Sequence, residues 1–182
     1  MLLFEPLKIK SLELPNRWVM SPMCMYSAVD GCANDFHFTH YTSRSQGGVG
    51  LIIVEATGIT PEARITPGCL GLWNDKQSEL LQKTVHFVHQ YSQTKIGIQL
   101  NHSGRKGSTW KAGQMDENEG GWQTVAPSPI AYQPGERTPK ELSVDEIKSI
   151  TASFATAARR AVDAGFDLIE IHAAHGYLIH QF

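Results

Sequence analysis

The apolar positions of this chain follow two alternating patterns, continuous runs of strand length and runs spaced at the helical period. Four segments have the length and composition of strands: residues 17–23, 49–54, 95–100 and 167–172. The second of them is apolar without interruption, which is typical of a parallel strand that is covered on both faces. Strands that alternate with helices in this way predict βα units and a parallel sheet.

Three helices are predicted between these strands. The strongest signal is the capping box Ser143-Val-Asp-Glu146, which is followed by apolar residues at helical spacing. Gly165 then favours a helix end, because glycine readily takes a left-handed backbone conformation. The other two helices are predicted over residues 35–46 and over residues 75 to about 92.

Residues 101–142 show neither pattern. Loops in βα units are usually about 2–6 residues long, so a segment of this length indicates a lid-like insertion after the third strand. Glycines, prolines and the aromatic residues Trp110, Trp122 and Tyr132 are scattered through it, and a short hairpin is expected within it. The sequence leaves open whether the two tryptophans shape a substrate lid or only pack the hairpin.

Composition narrows the class of protein. The 182 residues carry 16 Lys and Arg against 18 Asp and Glu, a net charge of -2, and 41% are hydrophobic. A nearly neutral chain without a basic run offers no electrostatic footprint for nucleic acid or anionic lipid. The most apolar stretch is far shorter than the ~20 residues that cross a bilayer, and the first residues lack the pattern of a signal peptide. We therefore expect a cytoplasmic protein with neither a nucleic-acid nor a membrane partner.

Polar and reactive side chains follow the predicted strands at their carboxyl ends. In parallel α/β folds the loops converge and ligands bind at this edge. These residues are Cys24 and Tyr26 after the first strand, Glu55 and Ala56 after the second, Gln99 and His102 at the third, and His172, His175 and Tyr177 at the fourth. Thiol, amide, imidazole and phenol groups are therefore predicted to meet at one end of the sheet.

Two chemical interpretations of the histidines are open at this point. His172 and His175 are suited to direct two N–H groups at one oxygen atom that gains negative charge during a reaction. Together with His102 they are equally suited to bind a catalytic zinc ion, which predicts a metal-assisted hydrolase or lyase. Cys24, Cys32 and Cys69 are an odd number without CxxC spacing, which disfavours structural disulfides and a thiolate zinc site.

Four segments form a recognisable pattern. They are Ser-Pro-Met-Cys-Met-Tyr (21–26), Ile-Gln-Leu-Asn-His-Ser-Gly-Arg-Lys (98–106), Ala-Pro-Ser-Pro-Ile-Ala-Tyr (126–132) and Ile-Glu-Ile-His-Ala-Ala-His-Gly-Tyr-Leu-Ile-His-Gln-Phe (169–182). In order and spacing they resemble the old yellow enzyme family, especially its cysteine-containing bacterial NADPH dehydrogenase subgroup. The resemblance implies a (β/α)₈ TIM barrel that binds FMN. It also implies reduction of the C=C bond of α,β-unsaturated carbonyl compounds with NADPH or NADH, by ping-pong hydride transfer.

The resemblance implies roles for residues on the substrate side of the site. His172 and His175 are expected to bind the carbonyl oxygen of a small enone substrate. Tyr26 is expected to add a substrate contact, and Tyr177 to supply the proton to Cα. Removing one donor to such an oxygen typically lowers the rate by ~10²–10³.

The resemblance implies a second group of residues on the cofactor side. The Gln99 amide is expected to hold the pyrimidine edge of the flavin, because it offers a donor and an acceptor in one plane. Cys24 is expected to lie near the flavin and to tune its potential, although a small buried thiol is the alternative for any single cysteine. Ser21, Pro22, Met23 and Ala56 complete the expected flavin-binding residues.

The predicted strands account for half of such a barrel. A (β/α)₈ barrel typically takes about 250 residues and builds its phosphate site from loops after strands seven and eight. We therefore expect residues 1–182 to form one partial barrel domain, with the insertion at 101–142 and without the C-terminal half. Such a half-barrel is expected to be unstable as a monomer and to need a homo-oligomeric partner or a complementing C-terminal half. A non-catalytic truncated fragment is the remaining alternative.

Overall fold

The computed structural model describes residues 1–110 and 113–182. Its helices are α1 (Asp35–Gln46), α2 (Asp75–Tyr91) and α3 (Val144–Asp163). Each begins with a capping box, at Asn34, Asn74 and Ser143 respectively, which pairs backbone N–H groups that the first turn leaves free. The three predicted helices are confirmed. No helix of the described residues combines the length and the apolar composition needed to cross a membrane.

The described residues also contain ten strands. In chain order they are β1 (Leu7–Ile9), β2 (Leu12–Leu14), β3 (Val19–Met20), β4 (Leu51–Gly58), β5 (Lys95–Asn101), β6 (Thr109–Trp110), β7 (Gly113–Gln114), β8 (Val125–Ala126), β9 (Lys140–Glu141) and β10 (Leu168–Ile171). The central sheet has the order β10-β5-β4-β3, and all its neighbours are parallel. This confirms an α/β fold with four parallel strands.

The first predicted strand is much shorter than expected. The prediction covered residues 17–23, whereas β3 contains only Val19 and Met20. Pro22 has no N–H group to donate to a neighbouring strand, so the chain leaves the sheet before it. The residues that follow form a loop across the carboxyl edge instead.

The hairpin of β1 and β2 was not predicted. Leu14 of this hairpin packs against Leu51 and Ile53 of β4, at the amino end of the sheet. Strands of three residues are too short to show a period in the sequence. The opposite face of the sheet packs Val54, Ile96 and other apolar residues against the helices. The carboxyl ends of the strands are left for the site.

The insertion contains the expected hairpin, formed by β6 and β7. A second pair, β8 and β9, is parallel. Arg137 connects the segment internally, because its guanidinium donates to the carbonyl oxygens of Trp122 at 2.8 Å and Met115 at 2.9 Å. The Trp122 indole N–H in turn donates to the carbonyl oxygen of Glu62 at 3.0 Å. The insertion is thus attached through Trp122 to the loop that follows β4.

Candidate active site

A cleft of about 470 Å³ lies at the carboxyl ends of the central strands. Eight of the ten predicted site residues line it: Ser21, Pro22, Cys24, Ala56, Gln99, His172, His175 and Tyr177. They come from the loop after β3, from β4 and β5, and from the segment after β10. The fold therefore brings together residues that the sequence placed at four separate strand ends.

Met23 and Tyr26 lie outside this set. The Met23 side chain is largely exposed. Tyr26 lines an adjacent cavity of about 520 Å³ together with Trp110. Trp122 is elsewhere, with its ring 5.2 Å from the Arg64 guanidinium. The structure thus separates the two tryptophans, since Trp110 faces a cavity next to the cleft and Trp122 packs the insertion.

His172 and His175 present adjacent ring nitrogens. His172 Nε2 lies 3.3 Å from His175 Nδ1, and the two rings are nearly perpendicular, at 88°. The Ala174 backbone N–H donates to His172 Nδ1 at 3.3 Å, so the proton of a neutral His172 ring is on Nε2. Burial and the neighbouring His175 lower the pKa of His172. His172 is therefore a neutral donor at physiological pH.

The backbone at His175 is in a strained conformation. Its φ angle is +55°, in the left-handed region that residues other than glycine seldom adopt. Tyr26 has a similar φ angle of +53°. Such conformations cost of order 1–3 kcal/mol and persist only where the surrounding structure holds them. Two of the predicted substrate-binding residues thus occupy strained positions.

Tyr177 packs beside both the imidazole pair and a cysteine. Its ring centroid lies 5.0 Å from that of His172, and its side chain packs on the cluster of Ala56, Ile65 and Cys69. Burial, with a smaller contribution from Cys24, raises the pKa of Tyr177 to about 12. The phenol is therefore fully protonated at neutral pH.

Lys106 is a site residue to which the sequence gave no role. Its ammonium group donates to the His175 carbonyl oxygen at 2.7 Å. It also lies 5.0 Å from the ring centroid of Tyr177 and 4.8 Å from that of Tyr132, both within the range of cation–π attraction. The only sequence signal was its position shortly after the third strand. Lys106 fixes the loop of His175 and connects it to the insertion.

Glu55 is a second residue that the sequence placed at the carboxyl edge without giving it a role. Its carboxylate oxygens accept hydrogen bonds from the Met25 backbone N–H at 2.9 Å and from the Tyr41 hydroxyl at 3.1 Å. The side chain is completely buried, and burial raises its pKa to about 7. The available signal was a single acidic residue directly after the apolar run at 49–54. Glu55 supports the loop that carries Cys24 and Tyr26.

The cleft has the donors and the space that a flavin ring requires. Gln99 offers an amide donor and acceptor at the base of the cleft, where its N–H donates to the Glu170 carboxylate. Small side chains, among them Ser21, Ala56 and Ala174, line the same space. A flat, polar-edged ring system needs little side-chain bulk along its faces and a paired donor and acceptor at its edge. The residues present therefore fit the isoalloxazine end of FMN.

The residues proposed for a zinc site are not assembled. Within residues 1–110 and 113–182, no three His, Cys, Asp or Glu side chains are grouped so that they could hold a metal ion. His102 is buried instead, where its Nδ1 accepts the Gly104 backbone N–H at 3.1 Å. Burial lowers the pKa of His102 to about 4. The geometry of the imidazoles thus does not support a metal-assisted hydrolase or lyase.

The fold and the cleft define a partial α/β barrel with a flavin-type site at its carboxyl edge. The chain belongs to the NADH:flavin oxidoreductase / NADH oxidase family, whose family model matches residues 2–182. FMN and a nicotinamide nucleotide are the cofactors of this family of oxidoreductases. The resemblance to the N-terminal half of the old yellow enzymes is therefore confirmed.

Individual relatives agree with this assignment. An NADPH dehydrogenase of Clostridium acetobutylicum is 54% identical over 183 residues, which cover 100% of this chain and 51% of the relative. Morphinone reductase in complex with tetrahydroNAD matches with a TM-score of 0.81 and 36% identity, over 97% of this chain and 50% of that chain. Old Yellow Enzyme from a Pichia species matches with a TM-score of 0.84 and 29% identity, over 97% and 47%. The chain spans about half the length of the relatives it matches.

Proposed function

We propose that this chain supplies the substrate side and part of the flavin side of an FMN-dependent NAD(P)H oxidoreductase that reduces enones. The observation that carries the proposal is the 3.3 Å approach of His172 Nε2 and His175 Nδ1 in the same cleft as Gln99 and Tyr177. Two N–H groups that are directed at the same position can stabilise an oxygen atom that becomes negatively charged there. A C=C bond conjugated to a carbonyl group places such an oxygen two atoms from the carbon that is protonated.

The imidazoles would stabilise the enolate. Hydride addition to the β-carbon of an enone moves negative charge onto the carbonyl oxygen, and preorganised donors favour that state over the ground state. His172 already carries its proton on Nε2, because its Nδ1 accepts from Ala174. His175 would bind the same oxygen as its Nδ1–H tautomer. Neutral imidazoles are suitable here, since each donates a hydrogen bond to the oxygen without transferring its proton.

Tyr177 would complete the reaction by giving its phenol proton to Cα. A pKa of about 12 keeps this proton in place until a strongly basic carbon is formed. The Lys106 ammonium, 5.0 Å from the ring centroid, offsets the negative charge left on the phenol oxygen. A proton from solvent then restores Tyr177.

The cofactor would be held by Gln99 at the pyrimidine edge and by Cys24 and Ala56 along the ring. Ser21, Pro22 and Met23 would line the remaining ring and the ribityl chain, partly through backbone atoms. When bound, FMN supplies the two-electron carrier between NADPH or NADH and the enone. Tyr26, beside the cleft, would contact the substrate from the cavity that it shares with Trp110.

A covering partner is part of the proposal. β3 and β10 are the outer strands of the central sheet, and an apolar groove of about 250 Å³ runs along α3 next to Ile171 and Phe182. Both of these side chains are exposed. A second copy or a complementing C-terminal half that extends the sheet would bury them. Sedimentation of the chain alone, and of the chain mixed with a fragment that supplies the C-terminal half of the barrel, distinguishes these two partners.

Flavin content and enone reduction test the function. The protein is purified, titrated with FMN, and supplied with NADPH or NADH and 2-cyclohexen-1-one, with and without the fragment that supplies the C-terminal half of the barrel. The expected result is bound FMN and formation of the saturated ketone in step with nicotinamide oxidation. FMN binding in neither preparation would overturn the cofactor assignment. Nicotinamide oxidation without any saturated ketone would overturn the substrate class.

A further inference from the structure

Cys24 and Cys69 are neighbours in the structure although they are far apart in the chain. Cys69 is a buried member of the cluster that contains Ala56 and Ile65, and the Cys24 side chain packs against this cluster. Cys24 also lines the cleft, whereas Cys69 is only 1% exposed. One thiol of the pair is thus reached from the cleft, and the other lies directly behind it.

The surroundings of Cys69 favour a thiolate. The Thr66 backbone N–H donates to its sulfur at 3.4 Å, and the Thr66 hydroxyl lies 3.5 Å from the same atom. Hydrogen bonds from the Cys24 thiol and from Thr66 lower the pKa of Cys69 to about 6, although burial acts in the opposite direction. The hydrogen bond to Cys69 and burial raise the pKa of Cys24. The pair therefore shares one proton near neutral pH.

We propose that Cys24 and Cys69 form a reversible disulfide and so make a thiol-oxidation site at the base of the cleft. Both cysteines are free thiols in the structure, which is the reduced state of the pair. The oxidant is a low-molecular-weight disulfide, RSSR, which enters through the cleft. The proposal concerns the chain's own thiols and does not depend on a bound flavin or on enone reduction.

The exchange takes place in two steps. After a proton passes from Cys24 to Cys69, the Cys24 thiolate attacks one sulfur of RSSR; an S–S bond to Cys24 forms and RS⁻ leaves. Cys69 then loses its proton to the released RS⁻, and its thiolate attacks the Cys24 sulfur. The internal S–S bond forms and a second RS⁻ leaves. Counted from two thiols, the cysteines lose two electrons and two protons, and RSSR becomes two RSH.

Oxidation changes what the cleft offers. The reduced Cys24 thiol lines the space next to Ala56, and Tyr26 follows it two residues later in the same loop. A disulfide has no S–H group and holds the Cys24 sulfur towards Cys69. The state of the pair would therefore change both the cleft wall and the position of Tyr26.

Mass spectrometry of the oxidised chain tests the proposal. The protein is equilibrated in glutathione buffers of increasing oxidised fraction, quenched in acid, alkylated, and digested with trypsin and a protease that cuts before Asp. Cleavage before Asp30 separates Cys24 from Cys32, so the expected product is peptide 18–29 joined to peptide 65–74. Two of the three thiols should be lost together, and dithiothreitol should restore both.

Matched variants identify the partner. Cys32 is the third cysteine and belongs to neither the cleft lining nor the cluster, so C32S should leave the cross-link unchanged. C69S should abolish it and leave a glutathione adduct on Cys24. Three results in the wild-type chain would overturn the proposal: a Cys24 adduct without any cross-link, a cross-link to Cys32, or a cross-link only between two copies on a non-reducing gel.

Discussion

The Glu55 carboxylate accepts the backbone N–H of Met25 at 2.9 Å, which connects a buried acid on β4 to the loop that carries Cys24 and Tyr26. The same carboxylate accepts the Tyr41 hydroxyl, and His37 Nε2 lies 3.7 Å away. The loop beneath the cleft is therefore held by a buried polar network. The ionisation of this network affects the stability of the fold.

Replacing Glu55 by Gln should change the pH dependence of stability. Burial raises the pKa of Glu55 from 4.5 to about 7, so between these values the folded state keeps a proton that the unfolded state has lost. Its stabilising contribution is complete below pH 4.5 and is lost as the pH rises through about 7, a change of about 3 kcal/mol. Urea unfolding of E55Q and of the wild type between pH 4 and 8 measures this difference. If the free energy of unfolding had the same pH dependence in the two proteins, the raised pKa of Glu55 would be contradicted.

Replacing His102 by Gln should have the opposite effect. Burial lowers the pKa of His102 from 6.5 to about 4, so the unfolded state binds the proton first as the pH falls. The contribution is complete above pH 6.5 and is lost as the pH falls through about 4, again by about 3 kcal/mol. H102Q keeps an acceptor for the Gly104 N–H and should therefore lose less stability in acid than the wild type. The exposed His86 supplies the control, and H86Q should follow the wild-type curve.

Replacing Ser143 by Ala should destabilise α3, because the first turn of the helix loses its capping hydrogen bond. The Ser143 hydroxyl accepts the Glu146 backbone N–H at 3.3 Å, and the Glu146 carboxylate accepts from Ser143. Loss of such a cap costs about 1 kcal/mol. Ser149 is exposed within the same helix, so S149A should leave stability unchanged or raise it slightly, since Ala is the better helix former. Equal melting temperatures for S143A and the wild type would show that the cap is not needed.

Replacing His172 or His175 by Ala should weaken the binding of phenols. A phenolate oxygen resembles the charged oxygen of the enolate, and each variant removes one of the two donors that lie 3.3 Å apart. Enone reduction should fall by ~10²–10³, while bound flavin is retained. Absorbance changes of the flavin on titration with phenols measure the affinity, with H86A as the control. Phenol-induced spectra that match the wild type would refute the role of the pair.

Replacing Tyr177 by Phe should separate binding from protonation. The variant keeps the aromatic contact with His172 but lacks the proton for Cα. Phenol affinity should stay within a few-fold of the wild type, whereas enone reduction should fall by ~10²–10⁴. Tyr91 is exposed on α2, so Y91F serves as the matched control. Unchanged enone reduction in Y177F would exclude it as the proton donor.

Local signals in the sequence were enough to predict the helices and most of the sheet. The capping box at Ser143 and the helical spacing of the apolar residues after it predicted α3, and the apolar run at the start of β4 is continuous. Such signals act over a few neighbouring positions, so they can be read without knowledge of the fold. The hairpin of β1 and β2 was not predicted, because its strands are too short to show a hydrophobic period. The hairpin is stabilised instead by packing on Leu51 and Ile53.

The candidate site was predictable as a set of strand ends but not as a set of contacts. The sequence by itself determined a parallel α/β chain, its three helices and the residues at its carboxyl edge. Only the tertiary structure joined Cys24 to Cys69, Glu55 to Met25 and Lys106 to Tyr177. These partners lie 30 or more residues apart in the chain. Their contacts depend on how the strands pair and how the insertion packs. A local sequence pattern specifies neither of these.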